Sequence, residues 1–257
     1  MIDQLWLIPL GFAAGVVGSI IGLGGGFIVV PVLTFFGFPP TLAASNSLFG
    51  ALGNAVAATI SYSRQKHIEF RLGIKLGLLS IPGTVLGAII SSDVAPGIFK
   101  ILFGLVLVAS AAYIFLRKKI ETGEQRNSRQ MLIFVAGASF FAGIISSFFG
   151  IGGGIVFVPL MIAGMGMAMK RAAPTSQLIL LFASSSGVVV HSLLGHPDFL
   201  QAGLLATGSF LGGLVGARLM PDIKERFLQI IVSAVILAVA VKLFLDSAYE
   251  NSFFPGM

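Results

Sequence analysis

Hydrophobic residues fall in eight runs, at about 5–37, 41–63, 72–92, 96–116, 131–168, 172–194, 199–220 and 224–245, with polar punctuation between them. Six of these runs have the length of one spanning helix, about 20 residues. The first and fifth are longer, at about 33 and 38 residues, too long for one crossing and short for two full ones. Each carries a glycine run, Gly22-Leu23-Gly24-Gly25-Gly26 and Gly150-Ile151-Gly152-Gly153-Gly154. Glycine weakens a helix by about 1 kcal/mol relative to alanine. The pattern therefore predicts eight helical stretches, with the first of each four broken.

The two glycine runs are 128 residues apart, and Pro31 and Pro159 keep that offset. One inserted residue then makes the offset 129: Asn46-Ser47 falls on Thr175-Ser176, His67-Ile68-Glu69-Phe70 on His196-Pro197-Asp198-Phe199, and Leu86-Gly87-Ala88 on Val215-Gly216-Ala217. Several landmarks in register mark an internal duplication. The polar stretch from Arg117 to Gln130 joins the halves. The chain divides into repeat 1 at 1–117, a linker at 118–130, repeat 2 at 131–246 and a tail at 247–257.

Composition fixes the solvent. Of 257 residues, 56% are hydrophobic and 10% are charged, against about 25% charged in a soluble domain. The mean hydropathy is +1.00. So little charge cannot cover a water-facing surface, so the chain reads as an all-α polytopic membrane protein of the cell (plasma or inner) membrane. The net charge of +6 comes from Lys and Arg placed mostly between apolar runs, as orientation in a bilayer requires, and no basic stripe interleaved with aromatics points to nucleic acid. The absence of cysteine excludes disulfides, thiolate metal sites and thiol relays. No basic residue precedes the first apolar run, so that run reads as retained structure and not as a cleaved leader.

Charge also bears on topology. With the linker cytoplasmic, counting back places the Arg64–Arg71 loop inside and the turns at Gly37 and Asp93 outside. Counting forward with one crossing for 131–168 puts Lys170-Arg171 and the Arg218–Arg226 loop outside, against the rule. A re-entrant fifth run returns both loops to the cytoplasm and puts His196, Asp198, Asp246 and Glu250 outside. The same treatment of the first run makes the repeats inverted. Eight simple crossings with parallel halves remain the alternative.

The candidate chemistry is at the breaks. A helix restarting after Gly24, Gly25 and Gly26, or after Gly152, Gly153 and Gly154, presents unpaired N–H groups and partial positive charge, an anion site with no buried cation. The alternative is close helix packing by small residues. Ser45, Asn46, Ser47 and Asn54, with Thr175, Ser176 and Gln177, could complete the shell of an oxyanion, or Ser, Thr and Asn could cap helices. Gln177 fits capping poorly, because it projects from an apolar run where the first half has Leu48. His191 is the candidate for proton coupling, as an ionisable residue in a membrane stretch; Tyr62 holds its place in repeat 1. Arg71, Lys75 and Lys100 read as snorkelling residues, and Met161, Met165, Met167 and Met169 as packing. No spaced carboxylate pair, metal-ligand cluster or nucleophile–base spacing points to an enzyme, a metal or a cofactor.

The paired segments AGVVGSIIGLGGGFIVVPVL and AGIISSFFGIGGGIVFVPLM resemble the signature of the TauE/SafE membrane proteins, the group of sulfite exporters and sulfonate permeases. AASNSL and AAPTSQL resemble the family's next motif in each half, and PGTVLGAIIS and FLGGLVGARL its later segments. The resemblance covers almost the whole chain. It implies a secondary transporter of sulfite, sulfonates or related sulfur anions, mostly outward. It marks Gly22, Gly24, Gly25, Gly26, Pro31, Asn46 and Ser47, and Gly150, Gly152, Gly153, Gly154, Pro159, Thr175 and Ser176. Gln177 departs from the family's usual Leu. The expected partners are the bilayer and a small anion, with no nucleic acid. A passive anion channel, or a transporter of another small anion, is the alternative.

Overall fold

The computed structural model describes residues 4–91, 94, 97–99, 101–106, 108, 129–223 and 241. The runs at 224–245 and much of 96–116, Lys100, Asp93, the linker to residue 128 and the tail lie outside the described residues. The described elements are helical. They are α1 (Leu7–Ile21), α2 (Gly26–Phe35), α3 (Pro40–Arg64), α4 (Phe70–Ile90), α5 (Arg129–Phe149), α6 (Gly154–Met165), α7 (Met169–Leu193) and α8 (Phe199–Leu219). A 3₁₀ turn, Met220–Asp222, prolongs α8. α5 begins two residues inside the stretch read as linker, because backbone bonding carries a helix past the end of its apolar run.

Among the described residues, three helices are long and apolar enough to cross a membrane: Phe70–Ile90, Met169–Leu193 and Phe199–Asp222. α3 is as long as α7, but it is rich in Ala, Ser and Asn and is packed inside; Ala43, Ala44, Ala55 and Ala58 are all at 0% exposure. α4 and α8 bear the outward apolar faces, with Leu78, Ile89, Phe199 and Leu211 half exposed or more than 40% exposed. Such surface suits lipid as its solvent.

Small residues set the closest packing. Gly11 and Gly15 of α1 lie on Leu205 and Ser209 of α8, and Gly208, Gly212 and Gly216 lie on Ile8, Phe12 and Val16. The numbers rise together, so α1 and α8 run parallel. α5 runs parallel to α4 in the same way, through Gly83, Gly87 and Gly143. Without Cβ atoms the backbones approach far enough for dispersion to hold helices together in lipid, where no hydrophobic force does. The methionines expected to pack do so: Met161, Met165, Met167 and Met169 are buried.

The helix ends fall into two groups. In one, Thr41 donates to Ser91 O (3.3 Å), Asn46 meets the start of α8, and Trp6 packs on Phe36 with ring centroids 4.9 Å apart. In the other, Arg171 pairs with Glu69, Gln65 Nε2 donates to Ala217 O (3.0 Å), and Lys170 Nζ donates to Pro221 O (2.7 Å).

Candidate functional site: two facing glycine turns

α1 stops at Gly22, which has φ +79°, and Leu23 N–H folds back onto Gly18 O at 2.9 Å. Gly24 and Gly25 have φ +80° and +84°. The Gly25 carbonyl then accepts from Ile28 (3.0 Å) and Val29 (3.3 Å), which starts α2. The second turn repeats this. Gly150, Gly152 and Gly153 have φ +71°, +76° and +83°. Ile151 N–H bonds Ser146 O at 3.1 Å, and Gly153 O accepts from Val156 (3.0 Å) and Phe157 (3.1 Å) at the start of α6. A side chain in the left-handed region costs about 1–2 kcal/mol per residue, so these positions require glycine for conformation. Gly26 and Gly154 are helical and are glycine for another reason. A Cβ on Gly26 would lie 2.6 Å from Ile151 Cα, and one on Gly154 would lie 2.6 Å from Leu23 Cα. The turns are pressed against each other. Gly24 and Gly152 both face Ala51 and Leu180. Left-handed backbone and close packing thus each require glycine, at different positions.

At the starts of α2 and α6, the N–H groups of Gly26 and Phe27 and of Gly154 and Ile155 precede the first i→i−4 bonds. A helix N-terminus leaves such donors unpaired and carries partial positive charge. Among the described residues, the buried polar side chains are hydroxyls, amides and His191, with no buried Lys, Arg, Asp or Glu. Whatever these turns hold, they hold it with dipoles.

The polar residues singled out in the sequence are all fully buried but have different partners. Asn46 Nδ2 donates to Gln201 Oε1 (2.9 Å), and its Oδ1 accepts from Asp198 N–H (3.0 Å). Thr175 Oγ1 accepts from Glu69 N–H (3.1 Å). Each thus ties the start of a helix from the other half of the chain. Ser176 Oγ donates to Gly22 O (2.7 Å), and Gln177 Nε2 donates to Gly18 O (2.9 Å). Gln177 Oε1 faces Asn54 Nδ2 at 3.5 Å. Ser47 Oγ has no partner. None of them caps its own helix: α3 is preceded by Pro39 and α7 by Ala168, neither with a side-chain cap bond.

The structure therefore brings Gly24, Gly26 and Ser47 together with Gly150–Gly154, and Ser176 and Gln177 to the first turn. It sets Asn46 and Thr175 at helix ties. It sets His191 toward the far end of α7, where its Nε2–H donates to Ser147 O (3.1 Å) and its Nδ1 stands 2.8 Å from His196 Nδ1. Because Nε2 faces a carbonyl, neutral His191 accepts at Nδ1 from His196. Burial holds His196 below its ordinary pKa. In the first half, Tyr62 OH donates to Ser19 O at 2.9 Å. The loop residues also have partners: Glu69 pairs with Arg171, and Asp198 Oδ1 caps α8 through Leu200 (3.0 Å) and Gln201 (3.1 Å). Sequence reasoning passed over Leu180, Gln201, Ser146 and Ser147. The two serines had a signal, since they stand just ahead of Phe148, Phe149 and the second glycine run, where the first half has Gly18 and Ser19.

Long apolar helices with exposed apolar flanks and small-residue seams define a multi-pass membrane protein. The family is shown by comparison: the sequence profile described as sulfite exporter TauE/SafE matches residues 7–243, and the chain belongs to that family. Probable membrane transporter protein YunE of Bacillus subtilis is 28% identical over 95% of this chain and 98% of its own length. A probable membrane transporter protein of Methanocaldococcus jannaschii is 28% identical over 90% of this chain and 91% of its own. Probable membrane transporter protein YfcA of Escherichia coli K12 is 25% identical over 96% and 93%. No solved structure matches the chain.

Proposed function

We propose that this protein is a secondary transporter that exports a small sulfur-containing oxyanion, sulfite or an organosulfonate, by alternating access around the meeting point of the two glycine turns. The chain is then two inverted repeats of four stretches, each opening with a re-entrant hairpin, α1–α2 and α5–α6. Trp6 against Phe36 supports a hairpin that returns to its own side. The contacts support the inversion, because they pair by repeat. Gly26 on Ile151 matches Gly154 on Leu23, and Asn46 with Asp198 matches Thr175 with Glu69. Inverted repeats with broken helices meeting inside the membrane are a recurrent transporter architecture.

The observation that carries the reading is this paired contact of two helix N-terminal turns, with no buried Lys, Arg, Asp or Glu among the described residues. The proposed substrate shell is Gly24, Gly25, Gly26, Ser47, Gly152, Gly153 and Gly154, with Asn46, Thr175, Ser176 and Gln177 holding the helices and the first turn that frame it. Sulfur is argued from the family's description. Export of an anion is downhill in an inside-negative membrane, by about 2.3 kcal/mol per charge per 100 mV. In a proton-coupled cycle, His191 and His196 are the groups that would exchange the proton.

Proteoliposomes loaded with unlabelled sulfite are expected to take up labelled sulfite by counterflow. Current without counterflow would instead identify a channel, and neither would end the anion reading. His191→Ala is expected to flatten the pH dependence of counterflow. An unchanged profile would remove the proton.

A further inference from the structure

The two turns are matched in backbone but not in side-chain chemistry. The hydroxyls of Ser176 and Ser19, beside the first turn, are satisfied. Ser176 donates to Gly22 O, Ser19 donates to Val16 O (3.0 Å), and the amide of Gln177 reaches Gly18 O. Their counterparts around the second turn are Ser47, Ser147 and, at the position of Gly18, Ser146. All three are fully buried, and none of their hydroxyls has a partner. Ser47 Oγ lies 2.9 Å from where a Cβ on Gly26 would stand, beside Ile151. Ser146 Oγ lies 3.2 Å from the corresponding point on Gly153, the residue that starts α6, and Ser147 Oγ borders Gly187 at the same distance. The polar group that α7 supplies to the first turn through Gln177 is absent from α3, which has Leu48 there.

A buried hydroxyl left unpaired costs about 1–3 kcal/mol. Three of them at the repeat counterparts of Ser176, Gly18 and Ser19, one against Gly153 and one beside Gly26 and Ile151, mark a place completed by something other than protein. Asn54, whose Nδ2 faces Gln177, leaves its Oδ1 unpaired beside Gly213, an acceptor that repels an anion. Around the second turn the unpaired groups are hydroxyls, which donate, beside the N-terminus of the 12-residue helix α6.

From this we infer that the anion-binding turn is Gly150–Gly154, with Ser47, Ser146 and Ser147 as its donors, and that the first turn is its structural counterpart. The inference rests on the transporter reading and assigns its site. It also sets the ligand class. With no buried cation among the described residues, a dianion would be desolvated without a counter-charge. A monoanion that spreads its charge over three oxygens, as a sulfonate does, can accept from several hydroxyls and N–H groups at once. Charge-assisted bonds of this kind are the stronger ones.

The test titrates the purified full-length protein with methanesulfonate and with sulfate, following thermal stability. A ligand that binds only the folded state raises stability in proportion to ln(1 + [L]/Kd). Ser146→Ala and Ser47→Ala are expected to keep or raise the ligand-free Tm, since each deletes an unpaired hydroxyl, and to weaken methanesulfonate by about tenfold or more. Ser176→Ala is expected to lower the ligand-free Tm and leave the affinity nearly unchanged. Sulfate is expected to bind far more weakly. If Ser176→Ala weakens binding as much as Ser146→Ala, or if Ser146→Ala has no effect, the assignment falls while the transporter stands. Sulfate binding as tightly as methanesulfonate, or sulfite counterflow without methanesulfonate binding, overturns the monoanion site. A wild-type protein that neither binds these anions nor exchanges sulfite overturns the transporter reading and this inference with it.

Discussion

Gln177 is a buried amide that the surrounding apolar helix would not select on its own. It is retained by two partners: Gly18 O, the carbonyl at which α1 begins to end, and the side chain of Asn54. Replacing it with Leu, the residue of the first half, leaves Asn54 without its partner and removes one donor from the first turn. Gln177→Leu is expected to cost about 1–3 kcal/mol of stability, measured as a lower Tm in detergent. An unchanged Tm would mean that the amide serves the substrate and not the turn. The sequence made Gln177 conspicuous, because one polar residue in an apolar run stands out. It could not show that the partner is a carbonyl 159 positions away, since periodicity reports a face of a helix and not what lies opposite. Ser47 and Ser176 looked alike in sequence for the same reason. Only three-dimensional neighbours separate a hydroxyl with an acceptor from one without.

Helix breaks and helix lengths were the most legible elements. Glycine runs at two places in long apolar stretches leave little else for the backbone to do, and positive φ at six of those glycines is the outcome. The ties between elements were not legible. Asn46 and Thr175 were read as ligands or caps because their types suit both roles. In the fold they hold the first residues of α8 and α4, each from the opposite half. Asn46 has two such bonds and Thr175 one. Loss of Asn46 strands Gln201 and the Asp198 N–H together. Asn46→Ala is therefore expected to destabilise the protein more than Thr175→Val, by about 1 kcal/mol or more, in matched thermal unfolding. Equal effects would contradict a structural role for these ties. Arg171–Glu69 sits beside the Thr175 tie at the surface, and an exposed pair of this kind adds at most about 1 kcal/mol.

For the whole molecule, charge counting and duplication together suggested inverted halves, the arrangement proposed above. α1 runs with α8 and α5 with α4, so each half lends its first helix to the other. The sequence carried this far because the repeat is strong and lysines and arginines are few. The functional asymmetry between the halves was beyond it, because that depends on which hydroxyls find partners after folding. The chain contains no cysteine, so a single introduced thiol reports alone. The most direct measurement is the labelling of Ser47→Cys in proteoliposomes by a membrane-impermeant maleimide, added outside or trapped inside. Alternating access around the second turn predicts slow labelling from both sides, each slowed further by methanesulfonate. A thiol that reacts from one side only, or that methanesulfonate fails to protect from either, would contradict it.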